Sequence, residues 1–143
     1  MPPSNKNFHV GLKAIIRRNS EFLGVKNTRN RYWTLPGGRI EERDLDLPVI
    51  ECLRRELLEE LGLRAKIEIG KVFDMIKYKT SPDDHSPNQK IFLICYDCQF
   101  DGGEIVLKKD ELEQFEWLDK ENYKQYDFGV LQKTIDRFVA EKL

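Results

Sequence analysis

The strongest helix pattern in the chain lies at residues 48–63, which read Pro-Val-Ile-Glu-Cys-Leu-Arg-Arg-Glu-Leu-Leu-Glu-Glu-Leu-Gly-Leu. Four apolar residues recur three and four positions apart, a spacing that places them on one face of a helix packed against a core. They are Ile50, Leu53, Leu57 and Leu61. Asp46 is predicted to be the N-cap, and Pro48 is tolerated in the first turn because its missing N–H needs no partner there. Gly62 predicts that the helix ends at Leu61.

Three acidic residues lie on the same helix, away from the apolar stripe. Glu56, Glu59 and Glu60 fall within a fan about 100° wide, and we expect them to converge on a common space. Like charges three or four residues apart on a helix lower its stability by about 0.2–0.5 kcal/mol per pair. A hard cation would offset the repulsion, and carboxylates suit Mg²⁺ or Mn²⁺. On this pattern alone, a solvated acidic helix face is the commoner explanation.

The composition predicts one folded domain without a broad basic surface. The 143 residues include 24 basic and 25 acidic side chains, for a formal net charge of -1, so the charge footprint of a duplex nucleic-acid binder is missing. A mean hydropathy of -0.59 predicts a soluble chain. No apolar stretch is long enough for a signal peptide or a membrane span, and we therefore predict a cytoplasmic protein.

The rest of the chain is predicted to consist mainly of strands. The expected elements are strands at 8–18, 21–25, 65–78, 90–100, 104–107 and 115–118, and a second helix at 128–141 with one apolar face. We expect a bend at Gly70, and we expect Pro36-Gly37-Gly38 to end any strand. Cys95 and Cys98 lie three apart on a buried strand and point to opposite faces. We therefore interpret them as structural residues and not as a metal site or a disulfide.

Two stretches together resemble the Nudix box. Leu35-Pro36-Gly37-Gly38 precedes a loop, and residues 55–63 agree at all nine final positions of the pattern G-x5-E-x7-R-E-U-x-E-E-x-G-U, in which U is aliphatic. An N-terminal hairpin, a Tyr-Trp-Thr-Leu lead-in and a late Glu-Trp-Leu before a C-terminal helix are also similar to the family. The resemblance implies an α+β chain with the Nudix fold, an α/β/α sandwich with a central mixed β-sheet. It also implies a single hydrolase domain over residues 1–143.

The loop before the helix departs from the family's pattern. Gly38 and Arg55 enclose 16 residues, three more than in the pattern, so the position of the loop glutamate is displaced. Counting forward from Gly38 reaches Asp44, whereas counting back from Arg55 reaches Leu47, which cannot accept an ionic hydrogen bond. The acidic residues available as substitutes are Asp44, Asp46, Glu41 and Glu42. We rank Asp44 first as the acid that orients Arg55.

The resemblance also implies a role for each residue of the box. The implied ligands of Mg²⁺ or Mn²⁺ are Glu56, Glu59, Glu60 and the carbonyl of Gly38. Arg55 would hold the loop acid in register. An activated water would attack one phosphorus of a nucleoside diphosphate linked to a further group, as in a nucleotide, a nucleotide sugar or a dinucleoside polyphosphate. The general base is left open between Glu56 and an acid before the last strand, Glu111 or Glu113, with plain solvation favoured for Glu113.

Side chains outside the box are candidates for substrate binding. They are Arg31, Trp33, Arg39 and Tyr78. Each also has a structural explanation, because surface arginines are usually solvated and aromatic side chains usually belong to the core. The expected partner is a small-molecule nucleotide, and we expect no binding to a membrane. Binding to nucleic acid is disfavoured, and the formation of a homodimer is left open.

Two alternative functions follow from the same resemblance. The run Leu-Pro-Gly-Gly-Arg-Ile at residues 35–40 is also similar to the GDP-mannose branch of the family, which breaks a glycosidic bond and typically lacks one box glutamate. The second alternative is a non-catalytic ligand-sensing domain, which typically loses box acids. All three box glutamates are present here, so attack at phosphorus is favoured.

Overall fold

The computed structural model describes residues 7–143. In chain order the regular elements are β1 (His9–Arg18), β2 (Glu21–Asn27), β3 (Trp33–Thr34), β4 (Gly37–Arg39), α1 (Val49–Leu61), β5 (Ile67–Lys79), β6 (Lys90–Phe100), β7 (Leu112–Leu118) and α2 (Gln132–Lys142). Short 3₁₀ turns occupy Glu42–Asp44, Tyr123–Gln125 and Gly129–Leu131. Residues 1–6, part of the segment predicted to lack a targeting signal, lie outside the described residues. Within the described range, neither helix has the length and apolar character needed to cross a membrane.

The strands form one mixed sheet with β1 near its centre. The sheet path is β3-β2-β1-β6-β5, with β4 paired to β1 and β7 paired to β2. β1 and β6 run parallel, with His9 opposite Ile91, and the remaining pairs are antiparallel. β5 continues through the expected bend at Gly70, where its register against β6 shifts between Ile69 and Val72. The central position of β1 makes it the scaffold on which both the glycine segment and β6 are aligned.

The helices bury separate apolar clusters on the two faces of the sheet. Leu53 and Leu57 of α1 belong to one cluster, and Phe138 of α2 belongs to the other. Cys98 lies in the first cluster and Cys95 in the second, and all three cysteines are free thiols. The α/β/α sandwich and the opposite orientations of these two cysteines are therefore confirmed.

Helix α1 ends as predicted but begins differently. Its N-cap residue is Pro48, whose ψ of 146° is extended, and no side chain caps the helix. The prediction that Asp46 is the N-cap is therefore wrong, because the helix starts directly after Pro48. Ile50 is also 39% exposed, so the buried apolar stripe begins at Leu53 and not at Ile50. Cys52, on another side of the helix, is buried under the loop that precedes α1, with its thiol 3.9 Å from the Asp44 carbonyl oxygen.

β3 ends at Thr34, before the Pro-Gly-Gly segment, as predicted, but Gly37 and Gly38 themselves begin a new strand, which was not predicted. Gly37–Arg39 pairs with Gly11–Lys13 of β1. Gly37 has a φ of 144°, and a Cβ at this position would lie 1.9 Å from the carbonyl oxygen of Leu12. The absence of a side chain thus allows the two backbones to approach and pair.

Three further predictions of elements or their boundaries, all in residues 104–132, are wrong. Residues 104–107 form no strand, since the Val106 amide donates to the Leu61 carbonyl at the end of α1 at 2.9 Å. The next strand, β7, instead begins at Leu112, where it pairs with Asn27 of β2. The last helix begins at Gln132 and not at residue 128, because a 3₁₀ turn precedes it.

Candidate active site

The box glutamates of α1 face the glycine strand β4. The Gly37 amide donates to the Glu60 carboxylate at 2.7 Å. A Cβ on Gly38 would lie 2.4 Å from the carboxyl carbon of Glu56, so a side chain at this position would displace the glutamate. Gly38 is therefore required for the close contact between the strand backbone and the helix carboxylates.

Arg55 binds the acid that was ranked first from the sequence. Its Nη2 atom donates to both carboxylate oxygens of Asp44, at 2.9 and 3.0 Å. The Asp44 side chain is 1% exposed, and it also accepts a hydrogen bond from the Glu41 amide at 2.9 Å. The Glu41 amide, together with the Arg55 guanidinium, keeps the pKa of Asp44 below its usual value. Arg55 also contacts Glu56 at 3.2 Å and thus links the loop acid to the box.

Burial disfavours charge on two of the box glutamates. It raises the pKa of Glu60 to about 8, although the Lys13 ammonium and the Gly37 amide oppose this rise. Burial also raises the pKa of Glu56, against the opposing charge of Arg55. The site therefore contains carboxyl groups whose negative charge is poorly solvated, a situation that a bound cation would relieve.

The three box carboxylates have two partners in the structure. Arg55 contacts both Glu56 and Glu59, at 3.2 and 3.1 Å, whereas Glu60 accepts from the Gly37 amide. Among residues 7–143, no three His, Cys, Asp or Glu side chains surround a common point. The convergence of the three carboxylates on one cation therefore stays a prediction. The donor set itself, carboxylates beside the Gly38 backbone, fits Mg²⁺ or Mn²⁺.

The two acids before β7 lie in different surroundings. The charge of Glu111 acts on both Glu56 and Glu60, which places it beside the box. Its carboxylate accepts from the Lys108 ammonium at 3.2 Å. Glu113 instead forms an ion pair with Arg31 at 3.4 Å. Of the two loop acids proposed from the sequence, the structure therefore brings Glu111 to the site.

Comparison with known proteins agrees with this arrangement. Residues 7–138 match the NUDIX domain. The chain belongs to the Nudix family. The fold and the prediction of a Nudix pyrophosphohydrolase are thus confirmed at the level of the family.

Individual relatives show the same fold. The chain is 28% identical over 123 residues to the nucleoside triphosphatase NudI of Enterobacter sp. (strain 638), with 80% of this chain and 84% of NudI covered. A MutT protein from Methanosarcina mazei Go1 is 21% identical with a TM-score of 0.78, over 97% of this chain and 98% of that one. A MutT Nudix hydrolase from Burkholderia pseudomallei is 23% identical with a TM-score of 0.70, over 90% and 95% of the two chains.

The four candidate substrate residues of this Nudix domain lie in two groups. Arg39 and Tyr78 are on the same face of the sheet, and the Arg39 charge opposes the rise in the pKa of Tyr78 that burial causes. Arg31 is instead held near β7 by its ion pair with Glu113. Trp33 packs edge-on against Tyr126, with ring centroids 4.7 Å apart. Of the four candidates, Arg39 and Tyr78 are therefore the two that the fold places near each other.

Lys13 is a charged residue of the site that the sequence analysis missed. It lies on β1, and its Nζ donates to the Leu35 carbonyl at 3.1 Å. Burial lowers the pKa of Lys13, whereas the neighbouring charge of Glu60 raises it. The sequence does contain one signal for it. Ile15 is apolar and lies two residues beyond Lys13, so both side chains are on the same face of β1. An apolar residue at this position indicates that this face of the strand is buried.

Proposed function

We propose that this Nudix domain hydrolyses the pyrophosphate of a nucleoside diphosphate linked to a further moiety, with Mg²⁺ or Mn²⁺ as cofactor. The observation that carries the proposal is the box helix, on which Arg55 and three glutamates are retained and packed against Gly38. Similarity to a nucleoside triphosphatase supports a phosphoanhydride substrate. The substrate classes considered are nucleotides, nucleotide sugars and dinucleoside polyphosphates.

The metal ligands that we propose are Glu56, Glu59, Glu60 and the carbonyl of Gly38. When bound, the metal would offset phosphate charge and lower the pKa of a water molecule. Arg55, predicted to belong to the catalytic set, acts in this proposal as a positioning residue, because it binds Asp44 and two of the glutamates.

We propose Glu111 as the general base. The Glu56 side chain is 13% exposed and contacts Arg55, whereas the Glu111 side chain, which pairs with Lys108, is 40% exposed. The charge of Glu111 also acts on both Glu56 and Glu60. In the reaction, the water oxygen bonds to phosphorus, the bridging P–O bond breaks, and the water proton passes to the Glu111 carboxylate. Arg39 and Tyr78 are proposed to contact the substrate on the neighbouring sheet face.

A substrate screen with metal controls tests this function. Purified protein should release phosphate-bearing products from at least one of ADP-ribose, NADH, dinucleoside polyphosphates, nucleotide sugars or nucleoside triphosphates. Activity should require Mg²⁺ or Mn²⁺ and be abolished by EDTA. Glu59→Gln should lower turnover by about 100-fold or more, whereas the exposed Glu68→Gln on β5 is a matched control.

The two alternative functions give different results in the same experiment. Turnover in ¹⁸O-labelled water should place the label on a phosphate. Label on the sugar would favour the GDP-mannose type of reaction. No turnover of any substrate, together with tight binding of one of them, would favour the ligand-sensing domain. The cytoplasmic location and the homodimer remain predictions.

A further inference from the structure

Residues 106–111, the segment that ends at Glu111, are hydrogen-bonded at their N-terminal end to the helix that carries the box glutamates. The Val106 amide donates to the Leu61 carbonyl at 2.9 Å, and the Lys108 amide donates to the Glu60 carbonyl at 3.1 Å. These carbonyls belong to the last turn of α1, which has no further helical partners for them. The segment therefore starts from the same helix that carries the box glutamates.

A second attachment, beside the pairing of Leu112 with Asn27, is made by Thr28 in the turn between β2 and β3. The Thr28 hydroxyl donates to the Lys109 carbonyl at 2.8 Å. The Thr28 amide donates to the Glu111 carbonyl at 2.9 Å. One residue thus holds the backbone on the N-terminal side of Glu111 and at Glu111 itself.

The turn that presents Thr28 is itself well held. The Asn27 side chain accepts from the Arg29 amide at 2.9 Å, and the Arg31 amide donates to the Asn27 carbonyl at 2.8 Å. Asn27 also pairs with Leu112, the first residue of β7. Thr28 therefore lies in a turn that is stabilised by its own hydrogen bonds, and the loop that carries Glu111 is hydrogen-bonded to it.

We infer that Thr28 is a positioning residue for the general base, and that its hydroxyl holds the Glu111 carboxylate beside Glu56 and Glu60. The inference rests on the proposed role of Glu111. The hydroxyl bond lies at the surface, where a hydrogen bond competes with water and adds little to folding stability. Its consequence is therefore expected in the placement of Glu111, since small displacements of a catalytic group strongly reduce turnover.

The test compares Thr28→Val with Thr28→Ser on the substrate that the wild-type protein turns over best. Valine keeps the shape and the backbone amide but lacks the hydroxyl, whereas serine retains the hydroxyl. We expect Thr28→Val to lower kcat about 5- to 20-fold with KM and the melting temperature unchanged. Thr28→Ser should restore kcat to within about twofold of the wild-type value.

A double variant separates an effect through Glu111 from a general effect on the fold. In a Glu111→Gln background, which lacks the base, adding Thr28→Val should cause no further loss of kcat. An additive loss would overturn the inference, as would wild-type kcat in Thr28→Val or an equal loss in Thr28→Ser. If Glu111→Gln itself has wild-type kcat, the base assignment fails and this inference fails with it. Absence of turnover in the wild-type protein would instead overturn the proposed function.

Discussion

Replacing Glu60 with glutamine is expected to stabilise the metal-free protein at alkaline pH. Glu60 is 7% exposed, and burial raises its pKa from 4.5 to about 8. In the unfolded chain the carboxyl loses its proton near pH 4.5, whereas the folded protein retains it until about pH 8. The unfolded state therefore binds fewer protons across this window, so the free energy of unfolding falls as the pH rises through it.

The size of the effect follows from the same two pKa values. The difference between 4.5 and about 8 sets an upper limit of about 5 kcal/mol on the loss of stability above pH 8. A glutamine cannot ionise, and its amide oxygen can still accept the hydrogen bond that Gly37 donates at 2.7 Å. Glu60→Gln should therefore equal the wild-type protein in stability near pH 4 and exceed it by about 1–5 kcal/mol at pH 9.

Urea unfolding in EDTA at pH 5, 7 and 9 measures this difference, with Trp fluorescence as the signal. The exposed Glu68→Gln is the control, because it removes one carboxylate without a change in burial. Adding Mg²⁺ or Mn²⁺ should stabilise the wild-type protein more than Glu60→Gln, because binding to the folded state alone shifts unfolding. Two results would contradict the raised pKa of Glu60. One is a wild-type stability that does not fall between pH 5 and 9, and the other is a Glu60→Gln variant that is less stable than the wild-type protein at pH 9.

The remaining predictions concern the glycine strand, the loop acid and the outer face of α1. Gly38→Ala should lower turnover about 10-fold or more in a steady-state assay, because its methyl group would displace the neighbouring carboxylate. The lowered pKa of Asp44 stabilises the fold above the unfolded-state pKa, and this contribution is lost as the pH falls through the folded-state pKa. Asp44→Asn should therefore lower stability at pH 7 and flatten the acid limb of a pH-unfolding curve, since it removes the charge that faces Arg55. Ile50→Gln should change the free energy of unfolding by about 0.5 kcal/mol or less, whereas Leu53→Ala should cost about 2–5 kcal/mol in the same urea titration.

The sequence predicted those features that depend on spacing along one element. Leu53, Leu57 and Leu61 are buried as the helical period required, and the alternation along β6 correctly separated Cys95 from Cys98. Both patterns arise within a single helix or strand, where the side-chain direction follows from position alone. The box glutamates were located for the same reason.

Features that depend on contacts between distant segments were not predictable in this way. Ile50 has the correct helical spacing but is exposed, whereas the preceding loop buries Cys52, which lies off the predicted stripe. Residues 104–107 have the residue types of a strand, but the Val106 amide donates to the Leu61 carbonyl at the end of α1. Lys13 lies on the first predicted strand, and nothing in the pattern of that strand indicates that its ammonium donates to the Leu35 carbonyl. In each case the decisive partner lies more than five residues away, beyond the range of a local pattern.

The position of the extra loop residues explains how Arg55 keeps an acidic partner. Counting forward from Gly38 by the family's spacing reaches Asp44, and the structure shows that this residue binds Arg55. A local turn fixes the carboxylate, because the Asp44 amide donates to the Glu41 carbonyl at 2.8 Å and the Glu41 amide returns a bond to the Asp44 side chain. By this count, the three additional residues are expected at 45–47, between this turn and the helix, where all three side chains are exposed. The contact between Asp44 and Arg55 thus depends on the number of residues between Gly38 and Asp44 and on the turn at Asp44. The segment between Asp44 and the start of α1 can therefore change in length without removing this contact.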